Sequence, residues 1–373
     1  MAPVHDVAIV GAGLLGLAAA RALAARGRDF VVLEQAVIGH PGAGSKGSCR
    51  IFRLGYPEAG YVSAAWRARD LWLNLEAETG RAILLPTPQL TFGPQLTAVH
   101  DAMRQAGAPC ELLTADAVAG QFPEIRISGP ALLETQSCVI AADVALAALA
   151  AAAGLDGGPI STGVRVTGVA DDGRRVTLQT SAGVVTARTA IITAGPWTAG
   201  LLAGQLTIPG RPTLEQVAYL TPARPMPRHA PIFICYGDQS PYGLPVPGSD
   251  RYKIGIHPSG PVVNPGAQDQ SPDPVLVARL AEIAEQYLPG YRPAPVATER
   301  CIYDNSPDED FIVDRIGNVV IGCGTSGHGF KFGPLFGEWL AALADGAAAA
   351  GIPGPCERFA VARLTRDSVP ETR

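Results

Sequence analysis

Residues 7–34, VAIVGAGLLGLAAARALAARGRDFVVLE, decide the fold. VAIV reads as an apolar strand, GAGLLG as a glycine turn, LAAARALAARG as a helix stopped by Gly27, and FVVLE as a second strand. The three glycines have separate tasks. Gly11 permits the tight turn, Gly13 lets a pyrophosphate approach the backbone, and Gly16 lets the helix pack on the strand. Glu34 ends the second strand 23 residues after Gly11 (34 − 11), close to the interval of roughly 20 at which an acid holds a ribose hydroxyl. The βαβ unit therefore predicts a dinucleotide with its phosphates at a helix N-terminus. The alternative is a small-residue contact between helix and strand with no ligand.

Working outward, the 373 residues are 47% apolar, enough to bury a large core in two domains or one large one. A net charge of −5, with Lys and Arg scattered, excludes a nucleic-acid footprint. The apolar run 7–20 has no basic residues before it beyond His5, and it carries the fingerprint glycines, so it is not read as a signal peptide. The Ala-rich run 144–155 is shorter than the ~20 residues a membrane helix needs, and no membrane span is expected. Seven cysteines (Cys49, Cys110, Cys138, Cys235, Cys301, Cys323 and Cys356) form no C-x-x-C pair, so a reducing cytoplasm is the expected setting. The 43 glycines and 33 prolines show no repeat period and mark turns.

After Glu34 comes IGHPGAGSKGSCRIFRLGYPE, a loop rich in Gly and Ser. A long amphipathic helix follows over 61–79, and LLPTPQLTFGP at 84–94 reads as a strand. The segment 135–143 suits a crossing between domains. Residues 165–195 read as three strands joined by a D-D-G and an S-A-G turn, ending in AIITAGPW. From 209 to 295 the chain is proline-rich, with short strands (QVAYLTP, PIFICYG, YGLPVP, RYKIGIH) and a helix at 274–287. The last segment, NVVIGCGTSGHGFKFGPLFGEWLAALADG, is strand, Gly loop and helix. The expected class is α/β, α+β overall. A Rossmann-like cofactor domain is assembled from 1–84, 141–212 and 296–373, and a mixed or antiparallel β-sheet substrate domain from 85–140 and 213–295.

Two further motifs carry chemistry. S-x-G-x-x-R-x-x-R occurs as Ser45, Gly47, Arg50 and Arg53, and C-x-Y-x-x-S-P-D-E begins at Cys301, upstream of the glycine-rich GTSGHGFKFG that holds Gly327, His328, Gly329 and Lys331. With the N-terminal fingerprint, these resemble the monomeric sarcosine oxidase and N-methyltryptophan oxidase family over nearly the whole chain. The resemblance implies FAD, its ADP half on Gly11, Gly13, Gly16 and Glu34, and a covalent bond from Cys301 to the flavin. It implies that Arg50 lies near the flavin and that Arg53 holds a substrate carboxylate. Where many members have histidine this chain has Lys46, a departure that bears on the electrostatics near the flavin.

Physical reasons stand beside the resemblance. The planar fork of Arg53 matches a carboxylate bidentately, as a lysine would not, although most arginines lie on surfaces. Lys331 is a second carboxylate partner, with Gly327, His328 and Gly329 bringing backbone close. Free cysteine is often a small buried hydrophobe, the reading given to the other six. Arg300 is expected to favour a Cys301 thiolate. Lys253 sits mid-strand, where a buried lysine without a partner is costly; the resemblance places it above the flavin, promoting reaction with oxygen. His257, on the same face of a period-2 strand, shares that pocket, and Tyr242 and Tyr303 are pocket walls by resemblance. No metal-ligand spacing is present.

The expected function is an FAD-dependent amine oxidase acting on a secondary or cyclic α-amino (imino) acid, with dioxygen reduced to hydrogen peroxide. Lys46 and YDNSPDED resemble members that oxidise cyclic imino acids, such as the piperideine-carboxylate oxidase of nikkomycin biosynthesis. Alternatives are a flavin dehydrogenase with another electron acceptor and a non-catalytic flavin-binding subunit. The partners are a small amino or imino acid and O2, the assembly a monomer or small homo-oligomer.

Overall fold

The computed structural model describes residues 4–155, 158–225, 230–237, 239–267, 269–346 and 355–366, without the side chains of 355, 356, 365 and 366. The expectation for Cys356 concerns a side chain outside that set. Val4–Val10 forms β1, Leu14–Ala25 forms α1 and Phe30–Glu34 forms β2, with β1 and β2 parallel. The last four residues of β1 are buried, as in a parallel strand covered on both faces. Leu and Ala fill nearly every side of α1 because it packs between the sheet and the helices Ala142–Ala152 and Gly333–Ala344.

Across this first sheet the order is Ile160–Thr162, β2, β1 and Gly183–Ile192. The second half of Gly183–Ile192 continues in parallel to Val319–Cys323, which pairs antiparallel with Ile312–Ile316. Its first half takes the antiparallel hairpin Val166–Asp171 and Val176–Thr180. The D-D-G turn of that hairpin is fixed by Asp172, whose carboxylate accepts from the backbone N–H groups of Arg174 and Arg175.

The second sheet runs Ala297–Tyr303, Thr213–Leu220, Tyr252–Ile256, Pro241–Pro245, Ile232–Cys235, Gln89–Phe92, Ala131–Glu134, Glu111–Leu113. Ile232–Cys235 and Gln89–Phe92 are parallel and the other neighbours antiparallel. Helix Pro274–Tyr287 packs on one face through Leu280, Ile283 and Ala284. Asp273 starts that helix by accepting from Val275 and Leu276 N–H, with Pro274 in the first turn. A small antiparallel sheet of Cys49–Phe52, Cys138–Ala141 and Leu84–Pro86 lies where the chain passes between the two large ones.

Two expectations change. The single strand expected over 84–94 is two strands in different sheets, broken between Pro86 and Gln89, where Pro86 and Pro88 have no N–H to give a ladder. The strand Ala297–Tyr303, expected with the cofactor domain, pairs along Thr213–Tyr219 at the edge of the second sheet. Cys301 and Tyr303 therefore enter the site from the opposite side to the glycine fingerprint.

Candidate active site

A cavity of about 730 Å³ lies between the C-terminal ends of the parallel strands (Val10, Glu34, Thr193, Gly322) and one face of the second sheet. Such sheets bind ligands at that end, in pockets of roughly 300–1,000 Å³. The second sheet contributes by alternation. Ile234 and Tyr236, Tyr242 and Leu244, Lys253 and His257, and Cys301 and Tyr303 line the cavity in pairs of like parity along their strands. Their neighbours Phe233, Tyr252 and Ile254 face the helix side and form its core.

At the fingerprint end, Gly11 has φ 96°, and a Cβ there would stand 2.6 Å from the Thr193 carbonyl oxygen. A Cβ on Gly16 would run into the Gly11 carbonyl, so Gly16 serves helix packing and does not line the cavity. Gly13 precedes α1 and has no side chain of its own to cap it, so the helix start faces the cavity, with Ser45 taking the Leu14 N–H. Glu34 is buried and accepts from Ala12 N at 2.8 Å and Ala36 N at 2.9 Å, which fixes its carboxylate at the cavity wall. Ser45 accepts from Leu14 N at 3.0 Å and pins the following loop to α1. Arg50 donates to the carbonyls of Cys49, Gly44 and Lys46. Lys46, expected at the cofactor, contributes this carbonyl; it does not line the cavity, because its loop is folded around the Arg50 guanidinium.

Arg53 is buried and stacks 4.1 Å over the Tyr56 ring, donating from Nη1 to the Gly55 carbonyl and the Tyr236 hydroxyl. Burial opposes its charge, but Tyr236, Tyr56 and Glu134 outweigh that effect and hold its pKa above the ordinary value. Lys331, also buried, donates from Nζ to the Tyr56 hydroxyl at 3.0 Å and to the His328 carbonyl at 2.7 Å. Burial, then the nearby Arg53, pushes its pKa well down. The His328 ring is held between Tyr56 (3.2 Å) and the Glu309 carbonyl (3.1 Å), and burial keeps it neutral. His328 thus supplies a carbonyl to Lys331 and a wall to the pocket. Gly327, at φ 71°, lets the Tyr303 ring lie where a Cβ would be. A Cβ added at Gly329 would likewise stand 2.7 Å from the Thr325 Cβ.

Lys253 is buried, with Nζ 3.5 Å from the Cys49 carbonyl and 6.0 Å from the centre of the Tyr219 ring. Together with Arg50, Arg53 and Lys331 it makes a cavity lined by cations whose hydrogen bonds go to carbonyl and hydroxyl oxygens. Among the described residues none of these four forms an ion pair with a carboxylate. Basic groups buried or half-buried without a salt bridge suit an anion. His257 shares the cavity, its ring 5.7 Å from that of Tyr303; burial lowers its pKa, against the opposing charges of Glu309 and Glu215. Tyr242 is pushed up to about 12 and Tyr303 well above the ordinary value, both by burial first, and each acts on the other.

Cys301 is buried and its thiol is free, at the cavity. Cys49 is a second buried free thiol on the same wall. Arg300 does not serve Cys301: one residue away on a strand it points to the other face, donating to the carbonyls of Ser271 and Leu214. Arg50 is the arginine that lines the cavity with Cys301 and interacts with it electrostatically. Sequence reasoning also missed Tyr56 and Tyr236. Tyr56 carried a signal, three residues after Arg53 in RLGYPE; Tyr236 is 183 residues from Arg53 and had none.

Comparison with known proteins now decides the class. The profile described as "FAD dependent oxidoreductase" matches residues 6–343. The chain belongs to that family. It is 33% identical to the peroxisomal sarcosine oxidase of Mus musculus, over 90% of each chain. It is 30% identical to the monomeric sarcosine oxidase of Bacillus sp. (strain NS-129), over 91% of this chain and 92% of that one. Among solved structures, the open form of NikD, described as an unusual amino acid oxidase essential for nikkomycin biosynthesis, superposes with TM-score 0.84 at 25% identity, covering 95% of this chain and 97% of that one. The family's α/β fold and the FAD dependence expected from sequence are both met.

The residues present fit FAD. Gly13 opens the start of α1, Glu34 stands at the end of β2, and Arg50 and Lys253 leave positive charge on the far cavity walls. No helix among the described residues is long and apolar enough to cross a membrane.

Proposed function

We propose that this protein oxidises the C–N bond of a secondary or cyclic α-amino (imino) acid to an imine, passing two electrons and two protons to dioxygen to give hydrogen peroxide. The observation that carries this reading is the pair Arg53 and Lys331, two buried basic side chains on one tyrosine, neither of them bonded to a carboxylate among the described residues. A substrate carboxylate supplies the missing charge. The relatives named sarcosine oxidase and N-methyl-L-tryptophan oxidase support a secondary amine, and NikD supports an amino acid.

FAD, when bound, supplies the two-electron acceptor; the protein binds, orients and tunes. Gly11, Gly13, Glu34 and the start of α1 would hold its nucleotide end, and Cys301 Sγ would be the point of covalent attachment. Arg53 presents its free guanidinium edge to the substrate carboxylate while Nη1 is occupied by Gly55 and Tyr236. Tyr56, Tyr61, Phe311 and Phe332 pack against one another around the Lys331 side and exclude water. His257, kept neutral by burial, takes a proton from the substrate nitrogen, and Lys253 offers positive charge to reduced oxygen. We place this activity in the cytoplasm, with the protein as a monomer.

Oxygen uptake and peroxide formation on adding sarcosine, proline, pipecolate or piperideine-2-carboxylate test the reading. Substrate-dependent reduction of a dye without oxygen uptake would make the protein a dehydrogenase. No turnover with either acceptor would leave a binding subunit.

A further inference from the structure

Glu134 has no exposed surface and no cation bonded to it, yet it collects five hydrogen bonds. Its Oε2 accepts from Leu54 N at 3.0 Å, Gly55 N at 2.9 Å and Ser137 Oγ at 3.2 Å. Its Oε1 accepts from Gln89 Nε2 at 2.8 Å and Thr91 Oγ1 at 3.2 Å. A carboxylate is costly to bury, and this one is held by a full set of donors rather than by an opposite charge. The backbone it grips is the stretch that receives the clamp: the Gly55 carbonyl accepts from Arg53 Nη1, and the Tyr236 hydroxyl lies 3.5 Å from the same oxygen. Gly55 is packed so closely on Glu134 that a Cβ would collide with Oε1.

We propose that Glu134, which no motif marks, is the positioning residue of the carboxylate clamp: it fixes the N–H groups of Leu54 and Gly55, and so the residue whose carbonyl the Arg53 fork rests on, and places a buried negative charge behind that fork. The inference builds on the reading that Arg53 and Lys331 hold the substrate carboxylate. Glu134 ends Ala131–Glu134 of the second sheet, and Gln89 and Thr91 come from its neighbouring strand, so the sheet reaches across to set the clamp. The charge of Glu134 also favours the Arg53 cation directly. A neutral amide here has one acceptor for five donors and must turn an N–H toward one of them. The peptide then shifts, and with it the angle of the guanidinium over Tyr56.

The test uses purified holoenzyme and two probes, pyrrole-2-carboxylate and pyrrole-2-carboxamide, with binding read from the flavin absorbance. Glu134→Gln should weaken the carboxylate roughly tenfold, the loss of one charge-assisted bond, and leave the carboxamide within about twofold. In an Arg53→Ala background the same change should add nothing, because it acts through Arg53. Equal losses for both probes, full additivity in the double variant, or no loss at all would overturn the proposal. Should Glu134→Gln yield no holoenzyme, Thr91→Val removes one donor and keeps the carboxylate; a loss of about threefold confined to pyrrole-2-carboxylate supports the proposal, and no selective loss overturns it. If Arg53→Ala alone leaves carboxylate affinity unchanged, the clamp itself fails, and Glu134 has nothing to position.

Discussion

Lys331 donates from Nζ to the hydroxyl of Tyr56 at 3.0 Å, and on the ring of that same tyrosine the Arg53 guanidinium is stacked. Two basic groups are thereby held around one side chain inside the protein, where burial and then the Arg53 charge push the Lys331 pKa down. In the proposed reaction an incoming carboxylate offsets both effects, which concentrates the binding energy of the substrate's charged end at the place that aligns its C–N bond.

Arg53 and Lys331 should each matter to anions and little to neutral ligands. Charge-assisted bonds are worth about 1.5–3 kcal/mol, so Arg53→Ala or Lys331→Met should weaken pyrrole-2-carboxylate by roughly tenfold or more. Arg53→Lys should not rescue, because the fork is lost. Unchanged titrations in both single variants would remove the clamp.

The clamp should also respond to pH through Lys331. Burial and Arg53 lower its pKa, so it is charged only below that depressed value. A bound carboxylate favours the charged form and raises the pKa in the complex, so binding takes up a proton once pH exceeds the free value. Anion affinity should therefore fall as pH rises through the free-form pKa of Lys331, and Lys331→Met should flatten that alkaline limb. A flat profile in the unmodified protein would argue that Lys331 stays outside the binding equilibrium.

Much of this was legible in the sequence, and several of the failures come from pairing between distant segments. The βαβ unit, the hairpin run and helix Pro274–Tyr287 follow from local periodicity and turn chemistry, which neighbours in sequence determine. The motifs carried Arg50, Arg53, Cys301 and Lys331 to one cavity. Pairing between distant strands was not legible. Ala297–Tyr303 belongs to the second sheet through Thr213–Leu220, and that pairing turns Arg300 away from Cys301. Glu134 meets Gly55 across 79 residues, with nothing local to announce it. Lys46 was read for its charge and serves through its carbonyl.

Two buried thiols, Cys301 and Cys49, reach the cavity, and the tether is assigned to one. Acid precipitation should leave yellow colour in the pellet of the unmodified protein and of Cys49→Ser, and release it to the supernatant from Cys301→Ser. Colour released by Cys49→Ser alone would move the bond to the other strand, and free FAD from the unmodified protein would abolish it.

Lys253, which forms no salt bridge among the described residues and lies on the Cys49 carbonyl, has the oxygen reaction as its proposed role. In stopped-flow experiments Lys253→Met should slow reoxidation of the reduced flavin far more than its reduction by substrate. Equal losses in both half-reactions would assign Lys253 to cofactor placement instead.

Anaerobic mixing of the purified yellow protein with an amino acid and with its amide tests the central claim most directly. A secondary or cyclic α-amino acid, among sarcosine, N-methyl amino acids, proline, pipecolate and piperideine-2-carboxylate, should bleach the flavin, and the matching carboxamide should do so at least roughly tenfold more slowly at equal concentration. Bleaching by a carboxylate-free amine or a 2-hydroxy acid, with none by the amino acids, would contradict the account and leave only the FAD-binding fold.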